Sequence, residues 1–209
     1  MRMTILIPLF LLVASCDLDQ SKPELEPAAE AGAEMLVAGG CFWCVEADLE
    51  KLPGVAEVVS GYAGGKVANP TYQNYSKTGH REVALVRYDP ETISFEELAE
   101  FFIRTIDVTD DGGQFCDRGY GYTTAVYFGT EEERQILETV ISEGEEELGK
   151  DIVTPIEAMP TFYPAEMYHQ DYYMKNPRQY GVYRGLCGRD RTVRNLWGKS
   201  AGELLAARK

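Results

Sequence analysis

Residues 35–46 read Met35-Leu36-Val37-Ala38-Gly39-Gly40-Cys41-Phe42-Trp43-Cys44-Val45-Glu46, and an aromatic and acidic stretch continues to Leu52 before Pro53-Gly54 breaks it. A short apolar run closed by two glycines and followed by such a stretch predicts strand, tight turn and helix. Working outward, Val55 to Tyr62 reads as a second strand, followed by a Gly/Asn/Pro loop from Gly61 to Pro70 that is long enough to carry function. Glu82 to Tyr88 is apolar on both alternating faces, as in a strand covered on both sides, and Asp89-Pro90 closes it. Ser94 with Glu97 predicts a capping box for a helix through Ile106, and Thr130 with Glu133 predicts another for a helix to Leu148. Between them the loop from Asp107 to Gly121 leads into a strand, Tyr122 to Phe128. Ile152 to Met159 contains Pro155 and belongs at a sheet edge. Pro164 suits the first turn of a helix through Lys175, and the tail from Arg191 to Ala207 reads as helical. This order predicts an α/β (α+β) two-layer sandwich, with a mixed, mostly antiparallel sheet covered by helices and a ferredoxin-like core.

The chain has 209 residues, 44% hydrophobic and 26% charged, which is enough for one good core. Twenty Lys and Arg against 34 Asp and Glu give a net charge of −14, which repels phosphate backbones and argues against nucleic acid as a partner. The apolar stretch Ile5–Ala14 is about half the ~20 residues of a membrane-spanning helix. With the basic start Met1-Arg2 and small residues before Cys16, residues 1–15 read as an export signal. Val13-Ala14-Ser15-Cys16 resembles a bacterial lipobox, so Cys16 is expected to carry a lipid anchor in the cell envelope. Residues 16–33 then form an acidic, Pro- and Ala-rich tether, and residues 34–209 a single catalytic domain with an extension over 181–209.

Cys41 follows Gly39-Gly40 at the expected start of a helix, where free backbone N–H groups and the helix dipole favour a thiolate. Cys44 lies on the same helical face, within reach of a disulfide. An exported Cys-x-x-Cys reads as redox chemistry, metal or a structural disulfide. Zinc is disfavoured because Cys116 and Cys187 form no second close pair, so no metal site is expected. Phe42 and Trp43 fill the gap with aromatics that suit an apolar substrate pocket. Asp107-x-Thr109-x-Asp111-Gly112 imitates a calcium loop, but Arg118 occupies the position that needs Glu. The two histidines, His80 and His169, lie far apart and give a hydrolase little support; His169 reads as a structural hydrogen-bonder.

Gly40-Cys41-Phe42-Trp43-Cys44-Val45-Glu46 resembles the signature of the peptide methionine sulfoxide reductases of the A type. Further matching blocks follow in order: Gly61–Gly65, Asn69-Pro70-Thr71-Tyr72, Gly79–Val83, Tyr88-Asp89-Pro90, Gln114–Gly119, and Phe162–Glu166 through His169-Gln170 to Asn176-Pro177. The resemblance covers about residues 35–180 and implies a peptide-methionine (S)-S-oxide reductase that repairs oxidised methionine in proteins. It implies that Cys41 attacks the sulfoxide sulfur while Glu82 protonates the oxygen. Glu82 also heads an apolar strand, which favours a protonated carboxyl. Tyr72, Asp117 and Tyr122 match residues that bind the sulfoxide oxygen or orient the acid, and Phe42 and Trp43 match the pocket for the substrate methyl group. A sulfenic acid on Cys41 is then resolved to a disulfide. Many members carry the resolving thiol just after Asn-Pro, but Arg178-Gln179-Tyr180-Gly181 holds none, so Cys44 takes the role or, as the rival, Cys187. Cys116 is expected to be a small buried residue.

No cofactor is expected beyond an external thiol, thioredoxin-like or dithiothreitol. The expected partners are free or peptidyl methionine sulfoxide, that reductant and the membrane, on a monomeric protein. A Cys-x-x-Cys thiol-disulfide oxidoreductase is the competing function. Arg184, Arg189, Arg191 and Arg194 form a basic cluster that can pair with the acidic body.

Overall fold

A computed structural model of the chain describes residues 19–24, 32–199, 203 and 206. The export signal and Cys16 lie outside the described residues. Strand β1 (Ala33–Gly39) passes through the Gly40 turn into helix α1 (Phe42–Leu49), and β2 (Val55–Ala63) follows. Next come β3 (Arg81–Tyr88) and α2 (Phe95–Ile103), then a small hairpin of β4 (Gly113–Gln114) and β5 (Asp117–Arg118). The chain continues through β6 (Thr124–Phe128), α3 (Glu131–Leu148), β7 (Ile156–Ala158) and β8 (Phe162–Pro164). It closes with α4 (Tyr172–Lys175), α5 (Pro177–Cys187) and α6 (Arg189–Trp197).

The main sheet has the order β7-β6-β1-β3-β2-β8, antiparallel except for the β6–β7 pair. Its four central strands, β6-β1-β3-β2, have the split βαβ connectivity of a ferredoxin-like core, as expected. Pleating divides β1 between two cores. Met35 and Val37 face helices α2, α3 and α6, packing with Leu98, Phe102, Leu137, Val140, Val193 and Trp197. Leu36 and Ala38 face the other side with Val59, Val83, Leu85 and Tyr127. Every residue of β3 is buried, which accounts for its doubly apolar pattern. Both capping boxes form, on Ser94 with Glu97 and on Thr130 with Glu133.

Two helix boundaries differ from the sequence reading. Pro164 does not begin a helix: Phe162–Pro164 pairs with Gly61–Ala63 as an edge strand, and helix resumes only at Tyr172. The Gln170 side chain enforces this route, because its amide accepts from Ser60 N–H at 2.9 Å and donates to the carbonyls of Ser60 (3.0 Å) and Ala165 (2.9 Å). A side chain that completes a strand edge is a long-range contact and overrides the local preference of proline. The extension holds two helices, with Pro177 in the first turn of α5, so the tail is helical from further upstream than expected. Residues of the expected tether also contact the body: Ser21 and Asp19 carbonyls accept from Met167 and Tyr168 N–H, and Lys22 donates to Pro70 O at 2.7 Å.

Candidate active site

Gly40 has φ +80°, and a Cβ there would stand 2.5 Å from Gln114 Cβ, so the turn that delivers Cys41 to the start of α1 requires glycine. Gln114 is in turn held by both backbone groups of Asp107, at 2.9 and 2.8 Å. Cys41, Phe42, Trp43, Tyr72, Glu82, Asp117 and Tyr122 line one small cavity of about 60 Å³, together with Tyr183. The structure therefore gathers the sequence-chosen nucleophile, acid, aromatic wall and polar residues into one place. Tyr183, from α5, was not anticipated.

Glu82 is fully enclosed. Its Oε2 accepts from Phe42 N–H at 3.0 Å and its Oε1 from the Tyr75 hydroxyl at 2.9 Å. Burial outweighs both hydrogen bonds and pushes its carboxyl up to about 8, so Glu82 carries a proton at neutral pH. Tyr75 is the second residue that the sequence reading missed; it stacks on Tyr62 at 5.0 Å and meets Tyr122 edge-on at 6.4 Å. Trp43 is fixed by a 3.7 Å stack on Tyr172 and by donation from its Nε1 to His169 Nδ1 at 3.2 Å. Burial lowers His169 to about 4, so it is a neutral acceptor, in keeping with a structural role.

The thiols depart from expectation. Cys41 is not held low by the helix start: no backbone N–H caps its side chain, Phe42 N–H is committed to Glu82, and burial drives the Cys41 thiol up. Cys44 is free and buried behind Cys41. Its hydrogen bond with Cys41 and the guanidinium groups of Arg189 and Arg184 lower its thiol. Those arginines pair with the buried Asp48, Arg184 at 2.9 Å and Arg189 at 3.4 Å, so half of the basic cluster meets the acidic body directly behind the thiols.

Cys116 is exposed rather than buried and forms a disulfide with Cys187. It sits in the turn of the β4–β5 hairpin beside Phe115, which has a φ of +54°. Cys187 is thus engaged by Cys116 and does not line the cavity. Two groups of described residues have metal-ligand spacing, Cys116/Asp117/Cys187 and Glu46/Glu50/Asp171. The first has its sulfurs tied in the disulfide, and the second has Glu46 spent on Ser60 Oγ (3.0 Å) and Asp171 N–H (2.6 Å).

The family model for peptide methionine sulfoxide reductase matches residues 33–201. The chain is 52% identical over 178 residues to a Rhizobium meliloti protein described as peptide methionine sulfoxide reductase MsrA 2, covering 85% of this chain and 90% of that one. Its fold is similar to the crystal structure of Mxr1 from Saccharomyces cerevisiae in reduced form, with a TM-score of 0.66, 31% identity and coverage of 70% and 86% of the two chains. It is also similar to the methionine sulfoxide reductase A of Corynebacterium diphtheriae, with a TM-score of 0.65, 30% identity and coverage of 69% and 74%. With its cysteine at the start of α1 and its buried acid on β3, this chain belongs to the peptide methionine sulfoxide reductase family.

Proposed function

We propose that the chain reduces methionine (S)-S-oxide, free or in oxidised proteins, with Cys41 as nucleophile, Glu82 as general acid and Cys44 as resolving thiol. The observation that carries this reading is the shared cavity, in which a buried thiol and a carboxyl that stays protonated to about pH 8 lie against an aromatic wall. A sulfoxide oxygen leaves only when protonated, so this pairing suits the reaction. Cys41 sulfur attacks the sulfoxide sulfur as Glu82 transfers its proton to the oxygen. Methionine departs with the electron pair of the broken S–O bond, the oxygen passes to Cys41 as a sulfenic acid, and the proton lost from the Cys41 thiol restores the Glu82 carboxyl. The Cys44 thiol displaces water from it to form a Cys41–Cys44 disulfide, which an external dithiol reduces. No bound cofactor enters, because the two electrons come from thiols.

Phe42 and Trp43 receive the methyl group, and Tyr72, Tyr122 and Asp117 surround the oxygen. The Cys41–Cys44 hydrogen bond, together with the engagement of Cys187 by Cys116, supports Cys44 as the resolver. The reductant is a thioredoxin-like protein in the cell and dithiothreitol in the assay. The layout of residues 1–16 supports export to a bacterial envelope on a lipid carried by Cys16, with residues 34–209 as one monomeric catalytic domain.

The test is to incubate the protein with each epimer of a blocked methionine sulfoxide and dithiothreitol, beside Cys41→Ser. Consumption of the (S) epimer alone, abolished by Cys41→Ser, is expected. If neither epimer is consumed the reading fails, and exchange with protein disulfides by the Cys-x-x-Cys pair becomes the account to pursue.

A further inference from the structure

The backbone carbonyls of Ser21 and Asp19 accept from the N–H groups of Met167 and Tyr168, at 2.6 and 3.3 Å. Lys22 reaches a different segment: its Nζ donates to Pro70 O at 2.7 Å and stands 5.7 Å from the Tyr62 ring centroid. Asp19 Oδ1 accepts from Ser21 N–H at 3.0 Å, an Asx turn that shapes this strap. Residues 19–22 therefore bridge two segments, and both serve the cavity. Tyr72, two residues past Pro70, lines it; His169, next to Tyr168, fixes Trp43 and packs 4.7 Å from the Tyr72 ring. The two segments also meet at the buried Glu166, whose Oε1 accepts from Tyr72 N–H at 3.1 Å and whose Oε2 accepts from the Tyr62 hydroxyl at 3.0 Å. Tyr72 is 40% exposed, against 1% for Phe42 and 2% for Glu82. Burial holds the last two in place, but a tyrosine so exposed on a loop depends on the bonds that hold its backbone.

We propose that Lys22 is a positioning residue for sulfoxide reduction, which pins the Tyr72 loop through the Pro70 carbonyl and so keeps the Tyr72 hydroxyl at the sulfoxide oxygen. Lys22 does not line the cavity, so it acts through Tyr72 and not on the substrate. Its bond to Pro70 is charge-assisted and partly shielded from water, and the Glu166 carboxylate attracts the same ammonium. Pro70 suits the anchoring role because it is buried and its ring fixes φ, so its carbonyl is a stiff point of attachment for the residues that follow. Thr71 N–H donates to Asn74 Oδ1 at 2.8 Å, which closes the loop on the far side of Tyr72. Residues 19–22 precede the stretch 33–201 that matches the family model, so the leading segment of this chain supplies a support from outside the matched region. The tether is thus a working part of the site as well as a connection. The proposal rests on Tyr72 facing the substrate oxygen, as in the function proposed above.

The test measures single-turnover reduction of the (S) sulfoxide over a range of concentrations, using the full chain as wild type, Lys22→Met, Lys22→Arg, Tyr72→Phe and the Lys22→Met/Tyr72→Phe double variant. Lys22→Met keeps the length of the side chain and loses the donor. Its maximal rate is expected to fall about 3- to 30-fold while the half-saturating concentration changes by less than about twofold, because a misplaced hydrogen-bonding group costs more in the transition state than in the ground state. Lys22→Arg, which keeps a cationic donor, recovers much of that rate. In the Tyr72→Phe background Lys22→Met has no further effect, as for a residue that acts through the missing hydroxyl. Hydrogen exchange read by mass spectrometry is independent of turnover: the peptide over 69–75 exchanges faster in Lys22→Met while β3 stays protected. Losses that multiply in the double variant, a Lys22→Met protein that matches wild type, or faster exchange in β3 as well as at 69–75 would overturn the proposal. If wild type consumes no sulfoxide, the function proposed above fails instead, and the exchange data alone decide whether Lys22 holds the loop.

Discussion

Glu82 accepts a 3.0 Å hydrogen bond from the backbone N–H of Phe42, the residue covalently next to Cys41. Acid and nucleophile are thereby referenced to one another through a single peptide unit. No backbone N–H caps the thiol, and burial drives it up, so the structure keeps Cys41 protonated before substrate arrives.

Because Glu82 must donate a proton and its carboxyl is raised to about 8, activity should hold through neutral pH and fall as pH rises through 8. The folded-state value lies above the ordinary one. The stabilisation from the protonated acid is therefore fully present below about pH 4.5 and lost as pH climbs through 8. Glu82→Gln should accordingly lose about 10²- to 10⁴-fold in turnover yet melt higher than wild type above pH 8. Paired pH–rate and thermal-melt series check both halves; lower stability of the variant at pH 9 would contradict the burial argument.

Trp43→Ala removes the stack on Tyr172 and the bond to His169 as well as one wall of the cavity. It should raise KM for the sulfoxide more than it lowers kcat, and cost about 2–3 kcal/mol in chemical denaturation. A change confined to kcat would mean that the indole does not hold substrate.

Gly40→Ala meets two obstacles, the positive φ and the Gln114 side chain 2.5 Å from the new methyl. Strain of about 1–3 kcal/mol is expected from the backbone alone, and displacing Gln114 should loosen the loop that carries Asp117. Urea unfolding with a parallel activity assay measures the two effects, which should fall together.

The Cys116–Cys187 bond joins residues 71 apart in sequence. Cys116→Ser should lower stability by about 3 kcal/mol in the absence of reductant, and added dithiothreitol should bring wild type toward the same melting temperature. An unchanged melt would show that the helices of the extension dock without it.

Local signals were legible where they were also sufficient. The apolar run closed by Gly39-Gly40 produced β1, turn and α1, and Ser94/Glu97 and Thr130/Glu133 capped α2 and α3 as their spacing required. The cavity residues from Cys41 to Asp117 fall in ordered motif blocks, and Tyr122 follows the Gln114–Gly119 block by three residues. What stayed hidden depends on distant partners. Pro164 enters a strand because Gln170 and β2 wait for it, and Cys116 becomes a surface half-cystine only once α5 brings Cys187 beside it. Tyr183 lies beyond the matched blocks and, as one tyrosine among 13, carried no signal until α5 folded over the site. The Cys41 thiol differs from expectation for a related reason, since burial is a property of the whole fold and the helix start is a local one.

A single-turnover cross-link map tests directly whether Cys44 resolves Cys41. Protein with Cys41 and Cys44 as free thiols and its Cys116–Cys187 bond verified is given one equivalent of (S) sulfoxide without reductant, digested and read by mass spectrometry. One new disulfide, Cys41–Cys44, is expected, formed in step with methionine, with a persistent Cys41 sulfenic acid in Cys44→Ser. A Cys41–Cys187 cross-link, or methionine release with Cys41 unmodified, would contradict it.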